Sequence, residues 1–209
     1  MSVPSAEPAY AKQHRGDDSA YASYFAGMDS SMQQKVAYTT AHFPTAGVVA
    51  DMGSGSGLGT YQLARLHPAL HLVGVDINPV SVGLSRERYT LPNLEFREGD
   101  IGAMLFPPGS LDGILDSSVF HHLTSFNGFS VEPVRAALSA QVAQLRPGGV
   151  IVIPFTEREE MVATIARELV ALRAGSRPAP PDPAALAPLG AVAQSRQLAA
   201  WFRQVARTT

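Results

Sequence analysis

The sequence predicts an α/β fold: a doubly wound, mostly parallel sheet between two layers of helix. Three observations predict it. Short, nearly continuous apolar runs alternate with segments of helical spacing from about residue 44 to residue 155, and a glycine cluster directly follows the first such run. The composition is that of a globular chain, with 45% hydrophobic and 16% charged residues among 209. Strands buried on both faces lose the in–out alternation of a one-sided sheet, so continuous apolar runs separated by helices point to parallel pairing.

Residues 1–16 are rich in Pro, Ala, Ser and charge and are expected to form a mobile lead-in to one domain over 17–209, with its core at 44–155. From Asp17 to Phe43, the spacing of Tyr21, Tyr24, Phe25, Met28, Met32, Val36 and Phe43 predicts one or two helices with an apolar stripe, ended by Pro44 and Gly47. Gly47–Asp51 is the first strand and Leu58–Leu66 the first crossover helix. His71–Asp76 is the second strand, and Pro79–Tyr89 is a helix with Pro79 in its first turn. Leu94–Glu98 and Leu111–Asp116 are the third and fourth strands. Val134, Leu138, Val142 and Leu145 mark a helix over Val131–Leu145, stopped by Pro147-Gly148-Gly149. Val150–Phe155 is the fifth strand. Beyond it, Thr156 and Glu159 suit a capping box for a helix carrying Met161, Ile165, Leu169 and Leu172. Arg173–Gly190 is Pro/Ala-rich, and Ala193–Ala206 reads as a last helix with Trp201 and Phe202.

Composition weakens a nucleic-acid function without excluding it and rules out cysteine chemistry. Sixteen Lys and Arg against eighteen Asp and Glu give a net charge of −2, so no global basic excess favours a nucleic-acid partner. The absence of cysteine removes disulfides, thiolate zinc sites and a cysteine nucleophile. The first residues lack a basic segment leading into an apolar run, and no apolar stretch is long enough for a membrane span. No signal peptide and no membrane are therefore expected, and the cytoplasm is the expected location.

The strongest motif is Asp51-Met-Gly53-Ser54-Gly55-Ser-Gly57-Leu-Gly59, placed between a strand and a helix. In a parallel sheet ligands bind beyond the carboxyl ends of the strands, where glycine lets a ligand approach the backbone. The dinucleotide pattern Gly-x-Gly-x-x-Gly/Ala fails, because its third position is Leu58 or Thr60. That failure sets a nicotinamide-dependent oxidoreductase well below the other readings. The P-loop pattern fails as well, since no lysine follows Lys35.

The motif resembles the first motif of class I S-adenosylmethionine-dependent methyltransferases, an acid followed by Gly-x-Gly-x-Gly. Asp76 ends the second strand 25 positions after Asp51, Glu98-Gly99-Asp100-Ile101 follows the third, and Asp116-Ser117 continues into Val119-Phe120-His121-His122-Leu123. Leu145-Arg-Pro-Gly-Gly149 before the fifth strand is similar to another family signature. The resemblance covers about Ala20–Phe155 and implies a Rossmann-like fold that binds S-adenosylmethionine and releases S-adenosylhomocysteine.

On this resemblance the cofactor shell comprises Asp51, Gly53, Ser54, Gly55, Gly57, Asp76, Ile77, Asp100, Ile101, Asp116 and Ser117. Asp51 offers charge to the cofactor's ammonium, and the helix start near Gly57 suits its carboxylate. Asp76 suits the ribose hydroxyls, although an acid there also suits a helix cap, for which Asn78 is better placed. Asp100 and Ile101 suit the adenine.

A sulfonium methyl is already a good electrophile, so alignment of the acceptor is the main lever and a general base is needed only for an acceptor that must lose a proton. His121 and His122 are the titratable candidates. Neighbours on a helix point about 100° apart, so only one is expected to face the cofactor. No His-x-x-x-His pair supports a metal site. Tyr21, Tyr24 and Met28 are candidates to line an acceptor pocket, with core packing as the competing role.

The family usually adds two strands beyond the fifth, and none is legible here. The expectation is a shortened variant or the front part of a longer chain, and a homodimer would cover the exposed sheet edge. The leading reading is thus transfer of a methyl group to a small-molecule acceptor. A catalytically silent binding module or partner subunit on the same fold is the alternative.

Overall fold

A computed structural model describes residues 25–125, 127–128, 130–154, 165–166 and 169. The chain divides into two compact units, Met1–Phe155 and Thr156–Thr209, each described by itself. In the second unit Ile165, Ala166 and Leu169 are helical. The expectations for residues 1–24, the Pro-rich segment and the Trp201 helix lie outside the described residues. Among the described residues no helix is long and apolar enough to cross a membrane.

Within the first unit the described residues begin with helical residues 25–29, helix α1 (Met32–Thr39) and a short 3-10 turn, Thr40–His42. Then follow β1 (Gly47–Met52), α2 (Leu58–Leu66), β2 (Leu70–Asp76), α3 (Pro79–Arg88), β3 (Leu94–Glu98), β4 (Leu111–Leu115), α4 (Phe120–Ser125), α5 (Glu132–Gln144) and β5 (Leu145–Val152). The strands form one sheet in the order β3-β2-β1-β4-β5, with every pairing parallel. The chain fills one half of the sheet outward from β1, then returns to the other side of β1. The two adjacent strands β1 and β4 therefore bracket a topological switch point, where crossovers leave in opposite directions and open a crevice.

Alternate side chains feed two cores. Val49, Leu70, Leu72 and Leu115 pack with Met32, Val36, Leu63 and Ala64 on one face. Ala50, Met52, Val73, Val75 and Ile114 pack with Ile101 and Phe106 on the other. This two-sided burial is the three-layer α/β/α arrangement expected from the continuous apolar strands.

The boundaries match the expected ones to within a residue or two except at β5. That strand begins at Leu145, five residues before the expected start, because Leu145 already pairs with Leu111. Pro147-Gly148-Gly149 forms a bulge within the strand, between the pairs Leu111↔Leu145 and Gly113↔Val150, rather than a stop before it. The preceding helix buries Val134 and Leu138 as expected, but its inward face continues through glutamines. Val134, Ala137, Leu138, Gln141 and Gln144 are buried, whereas Val142 is only partly covered.

Candidate functional site

The site is built at the carboxyl ends of the strands. At the tip of β1 the chain enters a glycine loop in which Gly53, Gly55 and Gly57 all have positive φ. Val75 carbonyl oxygen accepts both the Gly53 and Ser54 amides at 2.8 and 2.9 Å, stitching the loop to the tip of β2. The Gly55 amide donates to Asp76 Oδ2 at 2.8 Å, and the Asn78 amide to Asp76 Oδ1 at 2.9 Å. Backbone donors from Gly55 and Asn78 thus fix the two oxygens of Asp76, and the Ile77 amide adds a third. Asn78, not Asp76, caps α3, accepting the Val80 amide at 2.9 Å.

A cleft of about 260 Å³ opens over these strand tips. Asp51, Asp76 and Asp100, from the ends of three neighbouring strands, all line it, together with Gly53, Ser54, Gly55, Ile77, Ile101 and Ser117. Burial pushes the Asp51 carboxyl up to about 6, opposed by the Thr60 hydroxyl, which donates to Asp51 Oδ2 at 2.6 Å. Burial also raises Asp76, against its backbone hydrogen bonds. Asp100 is exposed and accepts the Gly102 amide at 2.8 Å in a tight turn.

Two residues expected in the cofactor shell do not reach the cleft wall. Gly57 points away from it, and a Cβ there would lie 2.5 Å from Ser85 Oγ and 3.0 Å from the Phe96 ring. Its glycine serves the packing of the loop on α3 and β3. Among the loop amides, those of Gly53, Ser54, Gly55 and Gly57 are all spent inside the protein, while Gly59 in the first turn of α2 lines the cleft. Asp116 is fully buried behind the wall, where Gln141 Nε2 donates to its Oδ1 at 3.0 Å.

His121 and His122 correct another expectation. Both line the cleft, with ring centroids 4.0 Å apart and planes tilted by 40°. They sit in the first turn of the short helix α4, where two flexible side chains converge although their Cα–Cβ bonds diverge. Met28 lines the cleft as expected, whereas Tyr21 and Tyr24 lie outside the described residues.

Sequence reasoning missed the roof of the cleft. Phe25, Met32, Lys35 and Val36 line it from the segment before β1, and Val119 and Leu123 line it from the segment after β4. Lys35 Nζ donates to Ser118 Oγ at 3.2 Å and pulls the Asp51 carboxyl down. Ser118 has φ +57, a left-handed conformation unusual for a residue with a side chain. The one available signal for Lys35 was its rarity, since the sequence holds a single other lysine, Lys12. Among the described residues no group of three or more His, Asp or Glu is arranged to hold a metal ion.

Comparison with known proteins gives a consistent picture. Residues 50–153 match the model of a methyltransferase domain family. The phthiotriol/phenolphthiotriol dimycocerosates methyltransferase of Mycobacterium leprae is 35% identical over 102 residues, which is 48% of this chain and 34% of that protein. The fatty-acid O-methyltransferase of Mycolicibacterium smegmatis is 32% identical over 101 residues, again 48% and 34%. The match thus spans about a third of the length of these curated relatives. Among solved structures, S-adenosylmethionine-bound CalS10, an amino pentose methyltransferase from Micromonospora echinaspora, aligns with a TM-score of 0.51 at 27% identity, covering 66% of this chain and 57% of that one. Human N-acetylserotonin methyltransferase aligns with a TM-score of 0.58 at 18% identity, covering 81% and 47%, which shows the shared fold.

Proposed function

From the premise that residues 50–153 of this chain form a domain of the class I S-adenosylmethionine-dependent methyltransferase family, we propose that the protein binds S-adenosylmethionine in the β1/β4 cleft and transfers its methyl group to a small, largely apolar acceptor. The observation that carries this reading is the convergence of Asp51, Asp76 and Asp100, with a glycine loop, on one cleft at the switch point.

The donor set fits the group. Asp76 presents a backbone-held carboxylate at the cleft as the acceptor for a ribose diol. Ser117 lines the cleft, and its buried hydroxyl has no hydrogen-bond partner. Asp100 and the buried Ile101 offer an acceptor and an apolar face to a purine. Lys35, from α1, lines the cleft and takes the carboxylate. Asp51 meets the ammonium.

When bound, S-adenosylmethionine supplies a methyl group activated by its sulfonium. The chain's own contribution is to bind, align and keep water out. Phe25, Met28, Met32, Val36, Val119 and Leu123 give the acceptor side an apolar lining that strips water from the transfer line and holds an acceptor in one orientation. One of His121 and His122 takes the proton of a hydroxyl or amine acceptor, while its tilted neighbour orients it. The lipid and fatty-acid names of the two mycobacterial relatives support an acceptor with a long apolar part.

Isothermal titration tests the reading. Saturable heat is expected for S-adenosylmethionine and S-adenosylhomocysteine. Asp76→Ala, which removes two charge-assisted hydrogen bonds to the ribose, is expected to weaken both by about 100-fold or more. Absence of heat from either ligand with the wild-type chain defeats the assignment.

A further inference from the structure

Behind the cleft wall, Asp116 and Gln141 form a pair whose hydrogen bonds do not balance as drawn. Both side chains are fully buried. Gln141 Nε2 donates to Asp116 Oδ1 at 3.0 Å, yet Asp116 Oδ2 and Gln141 Oε1 are both buried with no partner. If the carboxyl were ionised, two acceptor oxygens, one of them charged, would stand unsatisfied in the core. That arrangement is costly, and rotating the amide only exchanges one orphan for another.

A single proton resolves both defects. Placed on Oδ2, it turns that atom into a donor, and the remaining orphan, Gln141 Oε1, is an acceptor on the same amide. A carboxylic acid and a primary amide have the complementary donors and acceptors to pair through two reciprocal hydrogen bonds. We propose that Asp116 is a positioning residue that works as a neutral carboxylic acid, locked reciprocally to Gln141, and so fixes the turn Ser117–Val119 that lines the cleft.

The surroundings agree. Among the described groups, the charge facing Asp116 is Asp51, from β1, whose repulsion adds to burial in pushing the Asp116 carboxyl up to about 8. From α5 comes neutral Gln141, and from β5 the Val152 carbonyl, which accepts the Asp116 amide at 3.0 Å. Asp116 thereby ties the tip of β4 to both α5 and β5. The next residues are Ser117, with its orphaned hydroxyl, and Ser118, with its left-handed backbone and its contact to Lys35. A turn in that conformation needs a rigid anchor, and the acid–amide pair supplies one. Losing the proton breaks the pair and frees the turn.

The pair itself is independent of any assigned reaction, whereas its effect on ligand binding rests on the methyltransferase reading. The test has two arms on the full chain. Infrared difference spectroscopy of wild type against Asp116→Asn at pH 7 is expected to show the carbonyl band of a protonated carboxylic acid in the wild type alone, fading as pH rises through about 8. Calorimetry with S-adenosylhomocysteine is expected to show affinity about tenfold weaker at pH 9 than at pH 7, as follows when binding needs a proton lost near pH 8. D116N, whose amide makes both hydrogen bonds without titrating, abolishes that difference. Absence of the band at pH 7, or an identical pH fall in D116N, overturns the proposal. So does a D116N chain that fails to fold, because asparagine supplies both bonds. If S-adenosylhomocysteine binds at neither pH, the methyltransferase reading fails while the infrared arm still decides the pair.

Discussion

At the scale of single residues, Lys35 bears the sharpest consequence. It reaches the cleft from α1, contacts Ser118 and lies close enough to Asp51 to lower its pKa. If it meets the carboxylate of the cofactor, then Lys35→Met weakens S-adenosylhomocysteine by about tenfold or more, the worth of one charge-assisted hydrogen bond. Adenosine lacks that carboxylate, and its affinity is expected to stay level. The ratio of the two affinities, measured by calorimetry, is the readout, and an equal loss for both ligands removes Lys35 from the carboxylate role. Gly53 and Gly57 show how one motif divides its labour. A Cβ on Gly53 would lie 2.6 Å from Val119 on the cleft wall, whereas one on Gly57 would strike Ser85 on α3. The same letter, four residues apart, serves the ligand side in one case and the packing side in the other.

At the scale of elements, the crossovers are held by polar side chains as much as by apolar faces. Asn93, just before β3, donates its side-chain amide to the carbonyls of Ala64, His67 and Leu70, at 2.9, 3.2 and 2.9 Å. Ala64 lies in the last turn of α2, whose carbonyls have no partner within the helix. Asn93 thus closes the end of α2 and the turn into β2 in one stroke. Asn93→Asp keeps the shape and removes both donors, so a loss of about 2–3 kcal/mol is expected. Urea unfolding checks it, as a lower midpoint at unchanged slope. Such ties explain what hydrophobic periodicity overlooked. The apolar residues of the helix before β5 suggested a face through Val142 and Leu145, but the buried face continues through Gln141 and Gln144. Gln144 Oε1 accepts the Leu105 and Phe106 amides at 2.9 and 2.7 Å, giving a loop its missing acceptor. Periodicity counts only apolar letters, so a glutamine buried to satisfy backbone is invisible to it.

At the scale of the whole molecule, two buried carboxyls make stability depend on pH in an unusual direction. Asp51 and Asp116 rise from 3.8 to about 6 and about 8, so between those values the folded chain holds more protons than the unfolded one. Stability therefore falls as pH rises, from about pH 4 to about 6 for Asp51 and to about 8 for Asp116, with a slope of up to about 1.4 kcal/mol per pH unit for each group. Urea midpoints taken from pH 5 to pH 8.5 are expected to decline across this range. D116N should flatten the part between pH 6 and pH 8, which lies below the raised value of Asp116. A midpoint that climbs or stays level over that interval in the wild type contradicts the burial argument. The site shares this property because it lies where β1 and β4 meet, with Asp51 on β1 and Asp116 directly after the end of β4.

The sequence by itself determined the strand order of events: which runs are strands, which glycine loop follows the first of them, and that Asp51, Asp76 and Asp100 end up at strand tips. Period, punctuation and residue type carry that information locally, and parallel crossovers then bring the tips of β1, β2 and β3 to the same end of the sheet. Only the tertiary structure decided which side chains share the cleft. Lys35 and Ser118 meet across 83 positions, Asp116 turns inward to Gln141, and His121 and His122 converge instead of diverging. Each of these depends on the packing of helices against the sheet, and no pattern within one segment records where a distant segment will press against it.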